Sequence, residues 1–71
     1  MQIQKWEYMF VRHHDGKIMA IDDAEYTNPK EQFVWRDWLK QRGLEGWELV
    51  SEFTLNASKS VHATLKRPIN S

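Results

Sequence analysis

Gly43-Leu44-Glu45-Gly46-Trp47-Glu48-Leu49-Val50-Ser51 marks the point where a helical pattern stops and a strand pattern starts. Gly43 can take the left-handed conformation that closes a helix, and Gly46 frees the backbone just before Trp47. Beyond them, Trp47, Leu49, Ser51, Phe53 and Leu55 recur with period two, and Glu48, Val50, Glu52 and Thr54 alternate with them. The period predicts a half-buried strand with its bulk aimed at one core. Upstream, Asn28-Pro29 is a helix start, because Asn caps free amides and Pro loses nothing at the first helical position. A helix from Pro29 to Arg42 follows, with Val34, Trp35, Trp38 and Leu39 on one stripe at about 100° per residue. Phe33 falls opposite that stripe, and Arg42 falls within it.

Working outward, Trp6, Tyr8 and Phe10 alternate with Lys5, Glu7, Met9 and Val11 in a first strand. The aromatic side is the expected core face, which leaves Met9 and Val11 as an apolar pair on the outer face. Asp15-Gly16 signals a hairpin into a short strand over residues 17 to 21. Residues 22 to 27 read as an acidic loop. Asn56-Ala57-Ser58-Lys59 reads as a turn, and Val61, Ala63 and Leu65 alternate with His62, Thr64 and Lys66 in a last strand that Pro68 ends. The predicted architecture is a single α+β domain over residues 1 to 71 in the order β-β-α-β-β. It becomes β-α-β-β if the second strand fails. An antiparallel sheet carries one amphipathic helix on one face.

A chain of 71 residues buries only about 60% of the surface its unfolded form exposes. Small domains make up the deficit with disulfides, metals or self-association, and the absence of cysteine removes the first and the thiolate zinc sites. A homodimer is therefore expected. Ten basic and ten acidic residues leave no net charge, so no global field draws the chain to nucleic acid or to anionic lipid. No apolar run approaches the about 20 residues that span a bilayer, and no secretory segment precedes the first strand. The cytoplasm is the expected compartment.

Lys5-Trp6-Glu7-Tyr8, then Leu39 with Gly43, Glu45, Gly46, Trp47, Glu48, Leu49, Val50 and Ser51, then Lys66-Arg67-Pro68 together resemble a small bacterial and phage family catalogued as a domain of unknown function. The resemblance spans nearly the whole chain, and its central motif is fairly specific. It implies a compact sheet with one helix and assigns no activity, cofactor or site. The position before the helix-ending Gly looks usually Leu in that family; here it is Arg42.

His13 and His14 are adjacent at a strand end and point to opposite faces, so they form a solvated turn and no metal site. Glu7, Glu48 and Glu52 are expected in water on the outer face, paired with Lys5, Lys66 or His62. No nucleophile elbow, phosphate cradle or reactive cysteine exists, so no catalytic residue and no cofactor are assigned and an enzyme is not expected. Among the four tryptophans, Trp6, Trp38 and Trp47 are placed in the core and Trp35 at its edge. Arg42, with Trp35 and Arg36, is the candidate ligand-binding set, suited to a nucleotide-like or anionic signal by stacking and charge-assisted hydrogen bonds. Met9, Val11 and Phe33, left outside the expected core, are the candidate self-association residues. The expected function is a non-enzymatic interaction module that self-associates and binds a protein partner. Small-ligand sequestration by a homo-oligomer is the alternative.

Overall fold

Asp15 and Gly16 both adopt positive φ, 50° and 78°, which is the geometry a tight two-residue hairpin demands. They join β1 (Lys5–His14) to β2 (Lys17–Ile21). The computed structural model describes residues 3–25, 33–57 and 59–69. After β2 come β3 (Ala24–Glu25), α1 (Trp35–Leu44), β4 (Glu48–Thr54) and β5 (Val61–Ile69). The strands form one antiparallel sheet in the order β3-β2-β1-β5-β4. The fold is thus the α+β sheet with one helix that the sequence predicts, with β2 present. A two-residue β3 forms inside the stretch read as a loop.

The core lies between the sheet and α1. Val11, Ile18, Trp38, Ala63 and Leu65 are buried together, with Met9, Ile21, Trp35, Leu39 and Trp47 packed on them. This reverses the predicted faces of β1. Val11 is only 2% exposed and Met9 packs against the core, whereas Trp6, Tyr8 and Phe10 lie on the side of the sheet away from the helix. The β1–β5 register explains the reversal, since it sets Met9 opposite Leu65 and Val11 opposite Ala63. Directly opposed residues share a face, and β5 has just one apolar side.

In β4 the register shifts between Leu49 and Ser51. The extra residue, Val50, is a bulge that turns the following side chains over. Leu49 pairs with Leu65 on the helix side, but Phe53 pairs with His62 on the other side and Glu52 with Ala63 on the helix side. The single alternating face predicted from Trp47 to Leu55 is therefore split in two. Pro68 does not end β5, which runs on to Ile69. The β5–β4 ladder stops at Lys66, so beyond it a missing donor leaves no β4 acceptor unpaired.

The predicted helix start at Asn28-Pro29 lies outside the described residues. Phe33 and Val34, predicted helical, lie outside the helix, and Val34 is extended: Ile18 N–H donates to Phe33 O at 2.8 Å and Trp35 N–H to Gly16 O at 2.7 Å. The β1–β2 turn claims these groups, and α1 begins only at Trp35. Gly43 is not the left-handed cap. The helix passes through it to Leu44, and the left-handed residue is Gly46, with φ 94°. There Trp47 N–H returns to Arg42 O at 3.1 Å, closing the helix and launching β4.

Candidate functional site

Register alone places Trp6, Tyr8, Phe10 and Arg12 of β1 on the helix-free face, beside Pro68, Lys66, Thr64 and His62 of β5. Ala20 continues the row on β2, and Phe53 and Glu48 on β4. The face is aromatic and uncovered, with Trp6 39%, Tyr8 53%, Phe10 60% and Phe53 55% exposed. Taking about 200 Å² for each ring residue, these four leave about 400 Å² of aromatic surface in water. That is within the range reached by the largest apolar patch of a monomer, and patches of this size are often interaction sites.

The rings are held in place. Phe53 stacks on His62 with centroids 5.1 Å apart and planes 9° from parallel. The Lys66 ammonium sits 4.3 Å from the Trp6 ring centroid, a cation–π contact that lays its stem along the face. Arg12 donates to Glu25 at 3.3 Å, and Lys66 stands opposite Glu48 across the ladder. On this face Arg12 is ion-paired, whereas the Lys66 ammonium is engaged by the Trp6 ring. A cup of about 380 Å³ opens between Phe10 and Phe53, with Ala20, Thr64 and His62 among its lining residues.

Away from this band, His13, His14, Glu7 and Arg67 find polar partners. His13, predicted to be solvated, is 7% exposed; its ring stacks on Trp35 at 4.3 Å and its Nε2 lies 3.3 Å from Glu52 Oε1. His14 Nδ1 lies 3.1 Å from Lys59 O, on a different segment. Glu7, predicted on the outer face, pairs with Arg67 on the helix side. Arg67 also lies 4.5 Å from the Trp47 ring and donates to Glu45 O at 3.3 Å. Among the described residues no three His, Cys, Asp or Glu side chains converge as metal ligands.

The chain belongs to the DUF4177 family. Its sequence profile, described as a domain of unknown function, matches residues 6–68. No curated protein and no solved structure matched the chain.

In this DUF4177 domain the predicted ligand set does not assemble. Trp35 is turned to His13 and also stacks on Trp38, 5.8 Å away. Arg42 instead lies 5.3 Å from the Trp38 ring and pairs with Glu45 at 3.1 Å. Arg36 is exposed and lies outside the cleft of about 510 Å³ where Arg42, Trp38, Gln41, Asp37, Phe33 and Ile21 meet. Arg42 Nε is buried there with no hydrogen-bond partner among the described residues.

The predicted self-association set is corrected too. Met9 and Val11 belong to the core, and Phe33, 53% exposed, lines the helix-side cleft. Trp6, Tyr8, Phe10 and Phe53, which their period of two places in the core, form this exposed face instead. One signal could have found it: β5 has a single apolar side, and whichever side of β1 pairs with that side must face the core.

Proposed function

We propose that this DUF4177 domain is a non-enzymatic interaction module whose helix-free sheet face docks a protein surface, in the first place a second copy of itself. The observation that supports it is the exposed band of Trp6, Tyr8, Phe10 and Phe53. Its about 400 Å² of ring surface is half of the about 800 Å² that each partner buries in a standard interface. The intervening Arg12, His62, Thr64, Lys66 and Pro68 are available for the remainder. A second copy suits a domain whose buried apolar cluster, among the described residues, is Val11, Ile18, Trp38, Ala63 and Leu65, because burying more surface is how so short a chain gains stability.

Single-stranded nucleic acid would also stack on aromatic rings, but it needs a positively charged groove. Here Arg12 and Lys66 face Glu25 and Glu48, which favours protein. The non-enzymatic part of the proposal is supported by occupied carboxylates: Glu7, Glu25, Glu45 and Glu52 each face a cation or an imidazole.

Sedimentation velocity tests the proposal. The wild type sediments as a dimer at micromolar concentration, and Tyr8→Lys and Phe10→Glu give folded monomers with unchanged far-ultraviolet circular dichroism. A wild type that remains monomeric overturns it. Ligand sequestration, the second reading, is favoured by one observation, the Arg42 Nε that is buried beside its cleft and has no partner among the described residues. Nucleotides or small anions then raise the melting temperature by mass action, and Arg42→Ala abolishes the gain. No shift across a broad panel removes this second reading.

A further inference from the structure

β4 is the long edge of the sheet. Among the described residues its one strand neighbour is β5, and the opposite edge, β3, is two residues long. All seven residues of β4 are exposed, Phe53 at 55% and Leu55, just beyond the strand, at 45%. An edge of this length presents unpaired amides and carbonyls, which sheet proteins blunt with charge, bulges or a covering segment. Glu48 and the Val50 bulge blunt the first half of this one. Residues 51 to 55 carry a single charge, Glu52, and no proline.

The hydrogen-bond phase sets which backbone groups face outward. Leu55 N–H donates to Ser60 O at 3.0 Å, so Leu55 aims its amide at the β5 side. Direction alternates residue by residue along an antiparallel ladder. Phe53 therefore aims inward like Leu55, while Glu52 and Thr54 aim their N–H and C=O groups out of the sheet. The side chains of Glu52 and Thr54 share the helix side, because they pair with Ala63 and Val61, and Phe53 lies on the other side opposite His62.

We infer that two copies pair along this edge, β4 antiparallel to β4, about a two-fold axis through Phe53. Opposed residues must both aim their amides across the junction or both away from it, so the axis passes through a residue. An axis through Glu52 would oppose two carboxylates, which is destabilising. One through Thr54 would set Glu52 against Asn56, which already lies in the turn. The axis through Phe53 sets Glu52 against the partner's Thr54 and Thr54 against the partner's Glu52. Each such pair exchanges two backbone hydrogen bonds, and the Thr54 hydroxyl is placed to donate to the facing carboxylate. The two Phe53 rings meet as a pair that is not hydrogen-bonded, where side chains approach most closely.

This contact is separate from the docking of the aromatic faces and extends their band across a junction of two five-stranded sheets. Segments this short bury far less than the about 800 Å² per partner of a standard interface. Edge pairing is therefore weaker than face docking and needs a higher concentration.

The test uses Tyr8→Lys, in which face docking is disabled. Sedimentation of this variant from about 1 μM to about 1 mM is expected to show monomer giving way to dimer. Adding Thr54→Pro removes an outward N–H from each copy and leaves the β5 ladder intact, so the association should weaken by about tenfold or more. The chain lacks cysteine, which makes a second measurement clean. In the same background Phe53→Cys is expected to form an inter-chain disulfide on mild oxidation, since opposed residues of this kind match disulfide spacing, whereas Ser51→Cys is not. A Tyr8→Lys chain that stays monomeric at about 1 mM, or that crosslinks as readily through Ser51→Cys, overturns the edge pairing and leaves face docking standing. A wild type that is monomeric at about 1 μM, yet dimeric at about 1 mM with the Phe53→Cys disulfide, overturns face docking and supports the edge.

Discussion

The His13 imidazole lies 4.3 Å from the Trp35 indole, with the ring planes 15° from parallel. This contact joins the end of β1 to the first residue of α1, and it anchors the helix to one particular face of the sheet. His13 Nε2 also reaches Glu52 Oε1 at 3.3 Å, so one side chain ties β1, α1 and β4 together. His13→Ala removes a stacked ring pair and opens a void under the helix. The expected loss is about 1–3 kcal/mol, read as a lower urea midpoint followed by tryptophan fluorescence. Glu52→Ala should cost under about 1 kcal/mol, because its carboxylate is partly in water. Equal costs for the two variants would show that the stack contributes nothing.

Core and outer face are distinguished by two truncations. Leu65 is fully buried, and Leu65→Ala is expected to cost about 2–5 kcal/mol, enough to unfold much of the population of so small a domain. Phe10→Ala should change the stability of the monomer by less than about 1 kcal/mol and act instead on dimer affinity. Chemical denaturation at submicromolar and at high micromolar protein concentration separates the two effects. A concentration-independent loss of several kcal/mol for Phe10→Ala would place its ring in a core.

The two glycines of the central turn should respond with opposite signs. Gly43 lies inside α1 with open space around its Cα, so Gly43→Ala is expected to stabilise by about 0.5–1 kcal/mol. Gly46 also has open space but carries φ 94°. Gly46→Ala is therefore expected to destabilise by about 1–2 kcal/mol through backbone strain alone. Thermal melts of the two variants suffice, and melting temperatures moving in the same direction contradict the assignment of the turn.

Salt should leave the self-association nearly untouched. Arg12 pairs with Glu25 on the face and Lys66 stands opposite Glu48, so no net charge is neutralised when two faces meet. The dissociation constant is expected to change less than about threefold between 50 and 300 mM salt, whereas a phosphate-dependent contact would weaken by orders of magnitude. A steep decline in dimer affinity with salt would mean that unmatched charges dominate the interface.

Much of this fold is legible in the residues. Asp15-Gly16 specified its hairpin, the Val61, Ala63 and Leu65 alternation specified the inner side of β5, and Gly46-Trp47 specified the turn into β4. The candidate face was not legible, for a reason visible in β1. Its two sides read Trp6, Tyr8, Phe10 and Met9, Val11, both apolar, so a period of two defines two faces without saying which one the helix covers. Arg42 breaks the apolar stripe of the helix pattern, but its partners are Trp38 and Glu45, in place of the expected Trp35 and Arg36. Neighbours on a helix depend on where the core turns each ring.

The sequence by itself determined the types and order of β1, β2, α1, β4 and β5 and the hairpin at Asp15-Gly16, because propensity, periodicity and glycine act over a few neighbouring residues. Tertiary structure alone decided the orientation. The β1–β5 register set Met9 and Val11 against Leu65 and Ala63, the Val50 bulge turned Phe53 away from the helix, and the His13–Trp35 stack anchored α1 to the opposite face. Each of these is a long-range pairing, and a one-residue change of register exchanges the buried and exposed sides of a strand. That is how four rings that read as core, Trp6, Tyr8, Phe10 and Phe53, became the uncovered surface of this domain.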